Sequence, residues 1–343
     1  MKDKNIATIG GGTGSYTLLS GLKKYPLNIS AIVSMADDGG STGVLRDELG
    51  VLPPGDIRQC LAALSDSTDM LRKLMGYRFE KGGLKGHTFG NIFLSALEKI
   101  NGSFARAVEE ATEILDVSGE VIPVSEDQMN LRIELKNRRI LKGENQLDHN
   151  EDVRSIGIKG VYLKPEVQAY QKAIDRIKKA DFIVIGPGDL YGSIIPNLLV
   201  NGLSEAVRKS KAKVILNCNL TNKKGQTDNF SLEDYVSKIE EYIGKNRIDF
   251  VTFNRKKLPE KLIKKYEERE GKGSVVGIRE RNAMRSYRIV LANILQENEI
   301  KKAKNDNIAG TRSFIRHDSG KLAKVLTMIF EMGDYENIIK EII

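Results

Sequence analysis

The residues most able to do chemistry in this chain sit in glycine-rich and acidic turns. Gly10-Gly11-Gly12-Thr13-Gly14 follows the apolar run Ile6–Ile9 and leads into a helical pattern. Glycines let backbone N–H groups approach a ligand closely, and a helix start behind them attracts phosphate. The dinucleotide fingerprint G-x-G-x-x-G is only partly met, because Ser15 stands at its third glycine, and no Lys-Ser/Thr follows as in a Walker A loop. A second turn of the same kind, Gly186-Pro187-Gly188-Asp189 with Tyr191 beyond it, follows the run Phe182–Ile185. In a parallel sheet both turns emerge at one edge, where two facing anion loops suit a diphosphate.

The run Ile29–Met35 ends at Asp37-Asp38-Gly39-Gly40. Two adjacent carboxylates beside an anion loop repel each other unless something cationic joins them. Asp37 and Asp38 can hold Mg²⁺ with substrate phosphates or position a hydroxyl for attack; the alternative is an N-cap followed by an Asx-turn. Asp56, after Pro53-Pro54-Gly55, reads as an N-cap, and Arg58 can reach a phosphate or pair with Asp56. His87 and Asn91 lie in the turn Gly86–Asn91 that opens another helix, where exposure in a cleft would make them ligand contacts. Asn217, Asn219 and Asn254 fall at strand ends, where amides can read a base or sugar. Arg316-His317-Asp318 precedes the last helix, as a cap with an ion pair or as part of the site. No His or Cys partner stands at zinc-ligand spacing, which excludes a zinc site.

These turns need a scaffold that brings them together. Short apolar runs at Ile6–Ile9, Ile29–Met35, Phe182–Ile185, Val214–Leu216 and Phe250–Phe253 alternate with helical periodicity at Tyr16–Tyr25, 57–75, 88–116 and Lys321–Phe330. That alternation predicts an α/β, Rossmann-like three-layer fold with a mostly parallel sheet covered on both faces. Leu131–Leu135, Arg139–Lys142 and Val153–Leu163 read as extended runs of a β-rich insertion. The expected organisation is a single nucleotide-binding core over 1–118 and 166–330, an insertion over 119–165 and a C-terminal tail over 331–343. Gly271–Ser286 reads as a loop.

Composition narrows the function. The net charge of +8 comes from basic residues dispersed among acidic ones, and the aromatic and basic platforms of nucleic-acid binding are absent. No apolar run approaches the length of a membrane span, and no apolar leader opens the chain. Two cysteines, Cys60 and Cys218, cannot build a disulfide framework, so a cytoplasmic location is expected.

The ordered motifs GGGTG, ADDGGSTG, PPGDIR, GHTFGN, GPGDLY and IRHD resemble the YvcK-type gluconeogenesis factors of the CofD phospholactate-transferase superfamily. The resemblance implies a Rossmann-like fold, UDP-sugar binding, and a role in cell shape and wall metabolism on gluconeogenic carbon. It also implies a distant link to transfer of a phospholactyl group, with Asp37 and Asp38 near metal or acceptor and the Gly10–Gly14 and Gly186–Asp189 loops along the nucleotide. It ties Arg316 to the ligand site. Departures stand at Asp189 and Gly192, where the family often has Ser and Thr, in Asn219–Thr227, and at Tyr235, where it has His. They remove two proton carriers and count against retained catalysis. The expected partners are a nucleotide-sugar, a second copy of the chain, and cell-wall or morphogenesis proteins. The rival readings are an Mg²⁺-dependent transferase of phosphorus-containing groups and an NAD-binding oxidoreductase.

Overall fold

The computed structural model describes residues 4–279, 284–296 and 315–342, with side chains as far as residue 332. Among the described residues ten strands run in chain order: β1 Lys4–Gly10, β2 Leu27–Val33, β3 Glu120–Pro123, β4 Leu131–Leu135, β5 Ile140–Lys142, β6 Ile158–Leu163, β7 Phe182–Ile185, β8 Lys213–Asn217, β9 Phe250–Asn254 and β10 Arg288–Ala292. Seven form one sheet in the order β10-β9-β8-β7-β1-β2-β3, and every pairing in it is parallel. β1, β7 and β8 are buried along nearly their whole length, which requires helices over both faces and explains their unbroken apolar sequences. The helix Gly12–Leu22 packs against the helices Gly55–Leu64 and Ser319–Ile342, while Gln171–Lys179 packs against Leu203–Lys209. Leu19 and Leu22 are fully buried between these layers, each contributing roughly 1.5–3 kcal/mol over an exposed position.

The predicted strands and the α/β class stand, with five differences. β3 belongs to the main sheet, hydrogen-bonded to β2, and not to the insertion; Val121 and Ile122 are buried there. The pattern read as one helix over 57–75 divides at Ser65–Thr68, where the Thr68 hydroxyl caps a new helix by accepting from Leu71 N. That over 88–116 divides at Gly102, in the left-handed region, with Ser103 capping the next. Val153–Leu163 is not extended throughout: the helix Glu151–Ile156 ends at Gly157, φ +82°, before β6 starts. The last helix continues past Phe330 to Ile342, where a tail was expected.

The insertion keeps a small antiparallel sheet, β5-β4-β6, and adds the helix Glu144–His149. Its polar contacts with the core include Asn145 N donating to Asp38 Oδ1 at 2.8 Å, Ile158 N to Gly225 O at 2.9 Å, and Gln226 Nε2 to Leu147 O at 3.3 Å. Gly143, with φ +85°, lies where a Cβ would collide with the Asp38 carboxylate, so only glycine fits this junction.

Candidate functional site

Strand order reverses between β1 and β7, the topological switch point at which open α/β sheets form a crevice. Register places Gly10 beside Val33, and Ile9 beside Ile185, so the turns after β1, β2 and β7 leave the sheet side by side. They border a cleft of about 770 Å³. Gly11, Gly12, Thr13 and Gly14 line it from one side and Pro187, Gly188 and Asp189 from the other. The two turns touch: a Cβ on Gly14 would overlap the Pro187 carbonyl oxygen. Gly10 and Gly186 lie beneath the lining, their carbonyls accepting from Asn197 Nδ2 at 3.0 Å and Asn217 Nδ2 at 2.8 Å.

One flank is acidic. Asp37 Oδ1 accepts from Gly39 N at 2.9 Å, and Asp56 is buried against Gly11 and Gly12. Asp56 is not the N-cap, a position held by Pro54, but a first-turn residue. Burial raises the Asp37 pKa, against hydrogen bonds from Gly39 and Thr42. Burial, then the Asp37 charge, pushes Asp56 up to about 8, against the Gly12 N–H and Arg58. Glu144, delivered by the insertion, lies against Gly192. Burial and the charges of Asp37, Asp56, Asp148 and Asp189 raise its pKa well above the ordinary value.

The opposite flank is balanced. Lys223 makes salt bridges to Asp148, at 2.9 Å, and to Asp189. Burial works to raise the Asp189 pKa, but Lys223 and the N–H groups of Gly192 and Tyr191 hold it below the usual carboxylate range. Asp189 also caps the π-helical turn Leu190–Ile194 through these N–H groups, at 2.8 and 3.1 Å.

Asp37 and Asp38 face different hydrogen-bond neighbours. Asp37 lines the cleft, whereas Asp38 turns to the insertion and accepts from Asn145 N. Arg58 donates to Asn91 Oδ1 at 2.8 Å, and Arg58, Asn91 and His87 all line the cleft. Tyr191 is buried behind the second turn. Asn219 lines the cleft and donates to Gly188 O at 3.0 Å, while Asn217 and Asn254 are engaged in internal bonds outside the lining. Arg316 and His317 form the far side, and Asp318 caps the last helix by accepting from Lys321 N at 2.9 Å. Burial lowers His317 to about 4. Sequence reasoning missed Glu144, Asp148 and Lys223, whose place in the cleft depends on how the insertion docks.

This is the architecture of doubly wound α/β proteins with a cleft at the switch point. The chain belongs to the 2-phospho-L-lactate transferase CofD family, whose model matches residues 6–295. It is 40% identical over 323 residues to the gluconeogenesis factor of Bacillus subtilis, covering 94% of this chain and 96% of that one. It is 41% identical over 326 residues to the putative gluconeogenesis factor of Thermotoga maritima, covering 94% and 98%. A crystal structure of a UPF0052-family protein from Bacillus halodurans superposes with a TM-score of 0.83 at 35% identity, covering 94% of this chain and 99% of that one.

Proposed function

We propose that this protein is a nucleotide-sugar-binding regulator that takes UDP-sugars and acts in the cytoplasm in cell shape and wall metabolism during gluconeogenic growth. The observation that carries the reading is the large cleft at the switch point, bordered by both glycine turns with Arg316 on its far side. An Arg guanidinium chelates phosphate oxygens in a planar fork. The name gluconeogenesis factor, borne by relatives at about 40% identity, supports the physiological setting.

A transferase of phosphorus-containing groups is the second reading, favoured by the family to which the chain belongs and by the uncompensated carboxylates. Asp37, Asp56 and Glu144 repel one another, and repulsion among buried carboxylates is what a divalent cation such as Mg²⁺ would relieve. Among the described residues no three His, Cys, Asp or Glu side chains stand where they could hold a metal ion, so phosphate oxygens would have to supply most of its ligands. The cation would supply charge neutralisation on a transferred phosphoryl group. Against turnover, Tyr235 takes the place of the family's His and donates to Asn222 Oδ1 at 3.0 Å.

Thermal unfolding with UDP-glucose, GDP and NAD, each with and without Mg²⁺, separates these readings. A ligand at roughly 100 times its Kd stabilises by about 2.7 kcal/mol. The regulator reading expects the largest shift with UDP-glucose. A shift with GDP and Mg²⁺ alone favours the transferase, a shift with NAD alone the oxidoreductase, and either overturns it.

A further inference from the structure

We infer that His87 donates a hydrogen bond from Nε2 to an anionic oxygen of the cleft's ligand, its tautomer fixed by a one-way chain of hydrogen bonds that starts at Arg58. The inference rests on the reading of this cleft as a nucleotide site.

The chain has one consistent direction. A guanidinium has donors and no acceptor, so the Asn91 atom 2.8 Å from Arg58 Nε is the amide oxygen. The Asn91 amide nitrogen therefore faces Ser41 and donates to its Oγ at 3.2 Å. The Ser41 hydroxyl keeps one hydrogen to donate, and its only further side-chain partner among the described residues is His87 Nδ1, 3.0 Å away, so donation to Nδ1 is the arrangement that satisfies both groups. A neutral imidazole that accepts at Nδ1 carries its hydrogen on Nε2. Among the described residues the His87 ring makes its hydrogen bond through Nδ1, and the partly exposed His87 lines the cleft.

The surroundings select an anion as acceptor. Arg78 and Lys85 line the cleft beside His87, and Arg78 is steadied by donating to Gly86 O at 2.5 Å. The start of the chain is built in: Gly90 lies where a Cβ would stand 2.6 Å from Arg58 Cδ, so its bare backbone lets the guanidinium reach Asn91. Asn91 is 3% exposed and Ser41 9%, which shields both links from competing water. Three separate turns, Gly39–Thr42, Pro54–Arg58 and Gly86–Asn91, thus converge on one hydrogen atom.

The chain has three histidines, so nitrogen-15 spectra of the imidazoles can be assigned by single replacements. The expected result is a single Nε2–H tautomer for His87, lost to a mixture in Ser41→Ala. Inorganic pyrophosphate, titrated by calorimetry, should bind His87→Phe about tenfold more weakly than wild type. His87→Gln, which keeps an N–H near the same place, should recover most of that loss. An Nδ1–H tautomer in wild type, or equal pyrophosphate affinity in His87→Phe, overturns the proposal. If neither pyrophosphate nor any nucleotide binds wild type, the nucleotide reading and the donor role fall together. The spectra then still show whether the hydrogen-bond chain exists.

Discussion

Asp56 and Asp189 are both largely buried acidic residues at the mouths of glycine turns, yet their environments push them in opposite directions. Asp56 is raised to about 8 by burial and by Asp37, whereas Asp189 is lowered because Lys223 and two backbone N–H groups outweigh burial. Burial alone therefore does not decide the charge of a carboxylate here; an adjacent cation does. The acidic flank is left to be completed from outside, and the Lys223 flank is complete in itself.

Removing that cation should have the largest effect. Lys223→Met leaves Asp148 and Asp189 facing each other. A fully buried pair broken in this way costs roughly 3–5 kcal/mol, but the Lys223 side chain is 38% exposed, and solvent screening reduces the expected loss to about 2 kcal/mol. Urea unfolding measures it, and a loss below about 0.5 kcal/mol would break the comparison.

The acidic flank should respond in the other sense. The folded pKa of Asp56 lies above its ordinary value of 3.8, so the folded state holds an extra proton between the two values. Its contribution to stability therefore falls as pH rises from about 4 to about 8, then levels off. Asp56→Asn should remove this slope and be more stable than wild type at pH 8.5 by at least about 1.4 kcal/mol, the equivalent of one pKa unit. Thermal melts across pH without divalent cations test this; parallel profiles for the two proteins would refute it.

The smallest effect is expected from Asp189→Ser, which removes the carboxylate but keeps a hydroxyl acceptor. Serine can still cap Tyr191 N and Gly192 N, and Lys223 keeps Asp148. A loss of about 0.5–1 kcal/mol is expected in urea unfolding. A loss matching Lys223→Met would assign the whole Lys223 effect to Asp189.

The sequence revealed the centre of the fold better than its margins. β1, β2, β7, β8 and β9 were readable because central parallel strands are apolar on both faces. The edge strand β10 was not: residues 289–292 are an apolar run of strand length, but the strand is only partly buried and follows the Gly- and Arg-rich stretch that reads as a loop. β3 is four residues long and adjoins the insertion, so its pairing with β2 was hidden. In the site, both glycine turns, Asp37, Asp56, His87 and Asn91 announced themselves by residue type and spacing, and all have members lining the cleft. Adjacency misled at Asp37-Asp38, because consecutive side chains at a strand end can serve different neighbours. Glu144 and Lys223 gave no local signal at all, since an ordinary helix-start Glu and a loop Lys become site residues only through tertiary docking.

The packing of the first helix has a consequence for how the molecule is made. Gly21 leaves room for the backbone of Ser319 and the side chain of Ala323, so the helix behind the first glycine turn is covered by the last helix of the chain. During synthesis the earliest residues of the site must wait for the latest ones. The helix Gly55–Leu64 can cover part of it early, but until some 300 residues have left the ribosome the side of that helix around Gly21 has no permanent cover, and the protein closes as a circle rather than from one end to the other.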